Sequence, residues 1–185
     1  MAPFLVFSMF GFVELTRGLR ASNMVNAASG SVAQMVGQMS KVVGGSSGDL
    51  GDFCQGAGML THRFNVAGVS SPPLALSIAN VTAIGNASAT DVNYTAKVQW
   101  KSLTACAGAT GTMLDSEATA AAAPLLTKTG DSIVVVQASY KYQPTVSSTM
   151  FTMLALTLSR TNTAPALFGS IKCINAAGAI TQPTC

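Results

Sequence analysis

Four cysteines are the residues of this 185-residue chain best suited to covalent chemistry, namely Cys54, Cys106, Cys173 and Cys185. No two of them form a CxxC pair and the chain contains one histidine, so zinc binding and thiol redox catalysis are disfavoured. Their even number favours two disulfides and an oxidising compartment. Of the three possible connectivities we prefer Cys173–Cys185, which closes the C-terminal tail, together with Cys54–Cys106. Free buried thiols are the alternative.

The other side chains with catalytic chemistry lie in poor surroundings for it. His62 is followed by Arg63, but no nucleophile and no carboxylate lie close to it in sequence. Asp115 and Glu117 occur in a run of alanines and hydroxyl residues, where we expect them to be solvated. The chain has neither a P-loop nor a dinucleotide-binding glycine motif. We therefore expect no enzymatic activity, no cofactor and no metal, and a hydrolase that uses His62 is the remaining enzymatic alternative.

Three asparagines, Asn80, Asn86 and Asn93, begin N-x-[ST] glycosylation sequons. The chain is so rich in Asn, Ser and Thr that chance matches of this kind are expected, and we assign these asparagines no role.

The composition narrows the class of protein. Charged residues make up 9% of the chain, against about 25% in average soluble proteins. Hydrophobic residues make up 49%, and the mean hydropathy is +0.42. These values exclude a disordered, highly charged chain. The ten Lys and Arg residues are scattered singly, so the net charge of +3 predicts no nucleic-acid partner. The length fits one domain with an appendage.

The N-terminal segment, residues 2–13, carries no charge. A helix of about 11 residues covers roughly 16 Å, half of a hydrocarbon core of about 30 Å, so as written it is too short to span a bilayer. It is either the tail of a spanning helix or the core of a signal peptide. The segment has neither the basic region nor the cleavage site of a signal peptide, which disfavours the second interpretation. From Leu15 onward apolar residues recur every three or four positions, which predicts one helix over residues 3–43. The Gly/Ser run of residues 44–48 is expected to end it.

Small residues recur along this predicted helix at Gly18, Ala21, Gly30, Ala33 and Gly37. Small side chains let two helices approach closely, so these positions form a candidate helix-assembly face for neighbouring subunits. The alternative is an amphipathic helix that lies on its own domain.

The rest of the chain predicts a short helix and a sheet. Asp49 is placed to cap a helix over residues 49–60. Residues that alternate with period two predict strands over residues 74–84 and 92–100, which form an antiparallel hairpin. Further strands are predicted over residues 133–142 and 154–161, with a fifth at 170–174. Residues 107–127 are expected to form a surface loop with one helical turn, and Trp100 and Tyr140 to pack in or beside the core. The predicted fold class is α+β, with a long N-terminal helix (residues 1–43) followed by a domain with an antiparallel four- to five-stranded sheet (residues 49–185).

Several segments resemble one family of bacterial envelope proteins. Residues 13–19 (VELTRGL) and 23–28 (NMVNAA) are similar to the membrane-exit region of TadE/TadG-like proteins, the minor pilin-like components of the tight-adherence (Flp pilus) apparatus. Residues 133–145 (IVVVQASYKYQPT) and 156–161 (LTLSRT) resemble two strands of that family and the bend between them. The resemblance implies a single N-terminal transmembrane helix, a pilin-like periplasmic α+β domain and no enzymatic activity.

Two departures from the family pattern concern the start of the chain. Met9 stands where prepilin processing requires a glycine five residues before Glu14, and no basic flank precedes the apolar run. Both departures are expected if the sequence lacks its natural N-terminus. The expected function is that of a structural subunit of the bacterial inner membrane, whose partners are other pilin-like subunits and pilus assembly proteins. The alternative is a periplasmic or surface adhesion module that binds its ligand through residues 107–127.

Overall fold

A computed structural model describes residues 2–44, 48–61, 74–85, 94–102, 113–142, 156–175, 177–181 and 185. The three helices are α1 (Ala2–Gly37), α2 (Asp49–Thr61) and α3 (Asp115–Ala122), the last continued by a 3-10 turn over Ala123–Leu125. The strands are β1 (Lys41–Val43), β2 (Leu74–Gly85), β3 (Tyr94–Lys101), β4 (Ser132–Tyr142), β5 (Leu156–Pro165) and β6 (Lys172–Ile174).

Four antiparallel strands form the main sheet, in the spatial order β3-β2-β4-β5. The predicted hairpin of β2 and β3 is confirmed, as are the third and fourth strands. The predicted fifth strand exists as β6, but it pairs in parallel with β1 in a separate two-stranded sheet. The α+β class and the N-terminal helix before a four-stranded antiparallel sheet are therefore confirmed.

Helices cover both faces of the sheet. On one face α1 and α2 pack against the side chains of Leu74, Leu76 and Ile78 of β2 and against alternate residues of β4. On the other face the segment around α3 packs against Ala79, Val81 and Ala83 of the same strand. Every residue of β2 from Leu74 to Ala83 is consequently buried, because its two alternating sets of side chains each meet a helix.

A bulge in β3 divides its side chains between these two faces. Asn80 lies opposite Trp100 while Val81 lies opposite Val98, which leaves Gln99 as the extra residue. Val98 therefore faces α3 and Trp100 faces α1, although the sequence predicts them on one face. The Trp100 side chain is fully buried, and its indole Nε1 donates a 2.7 Å hydrogen bond to the carbonyl of Ile171. The expected packing role of Trp100 is confirmed.

Helix α1 ends at Gly37, and the prediction of one helix through residue 43 is wrong. A Cβ atom at Gly37 would lie 2.7 Å from the carbonyl oxygen of Pro165, so the helix end meets the end of β5 without room for a side chain. The N–H of Leu167 donates to the Gly37 carbonyl at 2.9 Å and satisfies one of the last helical acceptors. After this point Lys41–Val43 becomes strand β1.

The predicted helix after the Gly/Ser run is confirmed as α2, but Asp49 acts differently from the prediction. Its carboxylate accepts a 2.8 Å hydrogen bond from the N–H of Val43 in β1. The carbonyl of Gly48 accepts from the N–H groups of Gly51 and Asp52, which places the start of the helical bonding one residue earlier. Asp49 therefore ties α2 to β1.

The prediction of a surface loop over residues 107–127 is wrong for its C-terminal part. Residues 115–125 form α3 and the 3-10 turn, and the small side chains of Ala118 and Ala122 are buried against the sheet. The small, polar, alanine-rich composition predicts a loop with one helical turn, whereas the small size of the alanines lets a longer helix approach the sheet closely. Residues 107–112 lie outside the described part of the chain.

Candidate functional site

The N-terminal part of α1 projects beyond the sheet with its apolar side chains uncovered. Residues 8–13 are all exposed, so no side of the helix is covered there by the described part of the chain. Phe12 is 71% exposed and Leu19 is 60% exposed. Between residues 8 and 19 of α1, six large apolar side chains are exposed, and we call them the exposed stripe: Met9, Phe10, Phe12, Val13, Leu15 and Leu19. Exposed apolar groups of this density mark an interaction surface in a folded protein.

None of the described helices combines the length and the hydropathy that a membrane crossing requires.

The sheet begins to cover α1 at Glu14, where the helix meets the end of β4. The phenol of Tyr142 donates a 2.6 Å hydrogen bond to Oε2 of Glu14. Burial, then the hydrogen bond and the negative charge of Glu14, raise the pKa of Tyr142 to about 12. Burial also raises the pKa of Tyr140, and the positive charge of Arg17 opposes that rise. We call the region formed by Glu14, Arg17, Tyr140 and Tyr142 the junction.

A polar seam continues from the junction along α1 and β5. Arg160 Nη2 donates to the hydroxyl of Ser22 at 2.9 Å. Asn162 Nδ2 lies within hydrogen-bond distance of three acceptors on α1: the backbone carbonyl of Asn26 (3.2 Å), its Oδ1 (3.0 Å) and the hydroxyl of Ser29 (2.6 Å). Hydrogen bonds have directional geometry, so these contacts fix the axial register of α1 on the sheet more strictly than apolar packing does.

The small residues of the candidate helix-assembly face are placed differently from one another. Ala21 and Ala33 are each 1% exposed and belong to the core beneath the helix, and Gly37 meets β5. A Cβ atom at Gly30 would lie 3.9 Å from Cγ of Asn162. A Cβ at Gly18 would meet no described atom within 4 Å. Three of the five positions are thus buried against the chain's own sheet, which corresponds to the alternative of an amphipathic helix on its own domain and leaves no free face there for another helix.

The cysteine prediction is confirmed for the tail. Cys173 and Cys185 form a disulfide with their Cα atoms 5.7 Å apart. Cys54 is also disulfide-bonded. Its expected partner, Cys106, lies outside the described residues, so that pairing stays a prediction. The Cys173–Cys185 bridge holds the tail against β1, where a Cβ at Gly44 would meet the Cys185 backbone at 2.9 Å.

Of the remaining candidate residues, the structure describes Asp115 and Glu117, which have separate partners. His62 and Arg63 lie outside the described residues. The Asp115 side chain is 64% exposed, as expected for a solvated carboxylate, and it also pairs with Lys101 at 2.7 Å. Glu117 accepts a 3.0 Å hydrogen bond from the N–H of Leu114 at the start of α3. Within the described ranges no three His, Cys, Asp or Glu side chains form a group able to hold a metal.

Of the three sequons, Asn80 is fully buried, and its Oδ1 accepts a 2.6 Å bond from Ser132. A glycan has no access to it. Asn86 and Asn93 lie outside the described part of the chain.

Sequence reasoning missed the contact between Glu14 and Tyr142. The signal in the sequence is Glu14 itself, a single carboxylate at the end of an apolar run. A charge in that position needs either water or a hydrogen-bond partner. Its partner lies 128 positions away, and no local pattern identifies it.

Comparison with known proteins gives no match, whether to a family model, to a curated protein or to a solved structure. The TadE/TadG-like resemblance therefore depends on the sequence segments described above.

Proposed function

We propose that this protein is a structural, envelope-anchored, pilin-like subunit that takes part in assembling a tight-adherence (Flp-type) pilus. The observation that carries the proposal is the division of α1. Its first part exposes the apolar stripe, and its second part is built into the core of the domain. One continuous helix therefore connects the apolar segment, which is available for anchoring, rigidly to the folded domain.

The disulfides support a location outside the cytoplasm. Cys173–Cys185 and the oxidised Cys54 are stable in an oxidising compartment such as the bacterial periplasm. The proposed arrangement has the apolar part of α1 at the inner membrane and the sheet domain on its outer side. The partners are other pilin-like subunits and pilus assembly proteins, and the function requires no catalysis.

The burial of Ala21 and Ala33 changes how assembly is proposed to occur. Neighbouring subunits contact the exposed stripe, in particular Phe12, Leu15 and Leu19, which follow one another at spacings of three and four on one side of the helix. The small residues instead let α1 approach its own sheet.

A photo-crosslinking experiment tests this proposal. A benzophenone amino acid replaces Phe12 in one tagged copy, and a second copy with another tag is co-expressed in a bacterium with the pilus apparatus. We expect crosslinked products that contain both tags in the membrane fraction. The control places the same amino acid at Leu125, which is also exposed but lies on the other side of the sheet. Equal crosslinking at both positions, or none at Phe12, would contradict the proposal, and His62→Ala is expected to change neither result.

A further inference from the structure

The charges of the described residues are distributed unevenly between the two ends of the molecule. Four cations lie at or beside the junction, namely Arg17, Arg20, Lys141 and Arg160. Glu14 is the carboxylate among them, and it already accepts the Tyr142 hydrogen bond. Elsewhere in the described ranges five lysines are matched by five carboxylates: Lys41, Lys97, Lys101, Lys128 and Lys172 against Asp49, Asp52, Asp115, Glu117 and Asp131. The excess positive charge of the described chain is therefore concentrated where α1 leaves the sheet.

The contacts of α1 fix the positions of these cations along the helix axis. Glu14 contacts the end of β4 through Tyr142, and Ser22 contacts Arg160 of β5. Arg17 and Arg20 lie between these two levels, which are separated by about 12 Å at 1.5 Å per residue. Lys141 precedes Tyr142 and is exposed. Tyr140 and Tyr142 face α1, so Lys141 between them lies on the other face of the sheet. The long side chains of Arg and Lys reach several ångströms along such an axis, so the four charges lie within one band along the axis that includes both faces of the sheet.

We infer that this band, which we call the basic collar, binds the anionic headgroups of phospholipids while the part of the exposed stripe that precedes Glu14, from Met9 to Val13, enters the acyl region. The inference rests on the proposed function, since it specifies the surface to which the subunit is anchored. Residues 2–13 extend about 18 Å as a helix, close to the depth of one hydrocarbon leaflet of about 15 Å. Because residues 8–13 are exposed on every side, the helix enters end-on and does not lie flat against the domain.

The chemistry of the collar selects a charged lipid over a neutral one. An apolar segment alone partitions into any bilayer, but cations beside it are also attracted to anionic lipids. Each such charge raises the affinity for an anionic bilayer about five-fold. Arg20 and Lys141 form no ion pair with any described residue, so their charges are available to a headgroup. Arg160 keeps its charge while it donates to Ser22.

Vesicle binding by the full chain tests the inference. The probes are vesicles of phosphatidylcholine alone and of phosphatidylcholine with 30% phosphatidylglycerol. We expect the anionic vesicles to bind the protein at least ten-fold more tightly, and added salt to reduce the difference through screening. Arg20→Gln together with Lys141→Gln should remove most of that preference, while binding to neutral vesicles stays within two-fold of the original.

The matched control removes the same number of charges at the other end of the molecule, through Lys128→Gln with Lys172→Gln. This variant should keep the full preference, and all three proteins should unfold at the same temperature because the replaced side chains are exposed. If both double variants lose the preference for anionic vesicles equally, the net charge of the protein alone determines that preference. The collar inference would then be wrong, while the anchoring proposal would stand. Binding to neither vesicle type contradicts both. If the chain remains an oligomer in solution in the presence of either vesicle type, a second copy covers the stripe in preference to lipid, which also overturns the inference.

Discussion

Tyr142 donates its phenolic hydrogen to Glu14 across 2.6 Å, joining the last residue of β4 to the point where α1 leaves the sheet. The pair gives the carboxylate a hydrogen-bond donor at the last covered turn of the helix, beyond which the apolar side chains are exposed. A charge-assisted hydrogen bond of this kind is stronger than one between neutral groups. The junction therefore fixes how far the helix projects.

The first prediction concerns the pH dependence of this contact. The pKa of Tyr142 is raised from 10.0 to about 12, so its contribution to stability is complete below pH 10. Above pH 10 the unfolded chain loses the Tyr142 proton first, and this contribution is lost progressively up to about pH 12. Glu14→Gln keeps an acceptor but removes the negative charge, so the pKa of Tyr142 should fall while burial holds it above 10. Tyrosinate absorbance at 295 nm measures the titration.

The control for this experiment is Glu117→Gln, which removes a carboxylate that contacts no tyrosine. Its absorbance curve should coincide with that of the original protein. Tyr142→Phe should remove the component of the absorbance curve that titrates at about pH 12. If Glu14→Gln leaves that component in place, burial alone sets the pKa of Tyr142, and the charge of Glu14 has no part in it.

The second prediction compares two glycines of α1. Gly37→Ala should destabilise the protein by about 1–3 kcal/mol, because the new Cβ would meet the Pro165 carbonyl oxygen at 2.7 Å and the backbone must shift. Gly18→Ala adds the same atom where no described atom lies within 4 Å. It should leave the stability unchanged or raise it by up to about 1 kcal/mol through helix propensity. Urea unfolding followed by circular dichroism measures both. A similar effect at the two positions would mean that α1 does not pack on β5 as described.

The third prediction concerns the disulfides. The non-reduced protein should weigh about four protons less than the fully reduced chain, because two bridges form. Cys173→Ser with Cys185→Ser should lower the free energy of unfolding by about 3 kcal/mol, the chain-entropy value for a 12-residue separation. Peptide mapping of the non-reduced protein tests whether Cys54 pairs with Cys106. Free thiols in freshly purified protein from an oxidising compartment would contradict this prediction.

The elements with strong local patterns could be predicted from the sequence, and those decided by distant contacts could not. Alternation predicted the four strands of the main sheet and the period of α1 predicted a helix. The end of that helix depends on Pro165, 128 positions after Gly37, and no local signal identifies it. The pairing of β1 with β6 involves three residues per strand, too few for a pattern. The bulge at Gln99 is likewise invisible, because Val98 and Trp100 are both apolar and suit either face.

The site was predictable only in its apolar part. Residues 2–13 stand out by their lack of charge, so an exposed or membrane-facing segment follows from composition. The collar does not, because Arg17 and Arg20 come from α1, whereas Lys141 and Arg160 come from β4 and β5, more than a hundred positions later. In sequence Arg17, Arg20, Lys141 and Arg160 look isolated. Their proximity is a consequence of the register that Glu14, Ser22 and their partners impose on α1.

The last prediction distinguishes the projecting part of α1 from the part that belongs to the domain. A chain that starts at Val13 should keep the thermal unfolding temperature of the full chain, since it retains the Glu14 contact and every residue of α1 that the structure describes as buried. It should also self-associate less, because Met9, Phe10 and Phe12 are removed. A chain that starts at Ser22 loses Glu14 and the buried Ala21 and should unfold several degrees lower. Differential scanning calorimetry and analytical ultracentrifugation measure the two effects. Equal unfolding temperatures for the two shortened chains would show that the junction contributes nothing to the stability of the domain. Unchanged association after removal of residues 1–12 would show that Met9, Phe10 and Phe12 are not part of the surface through which the protein assembles.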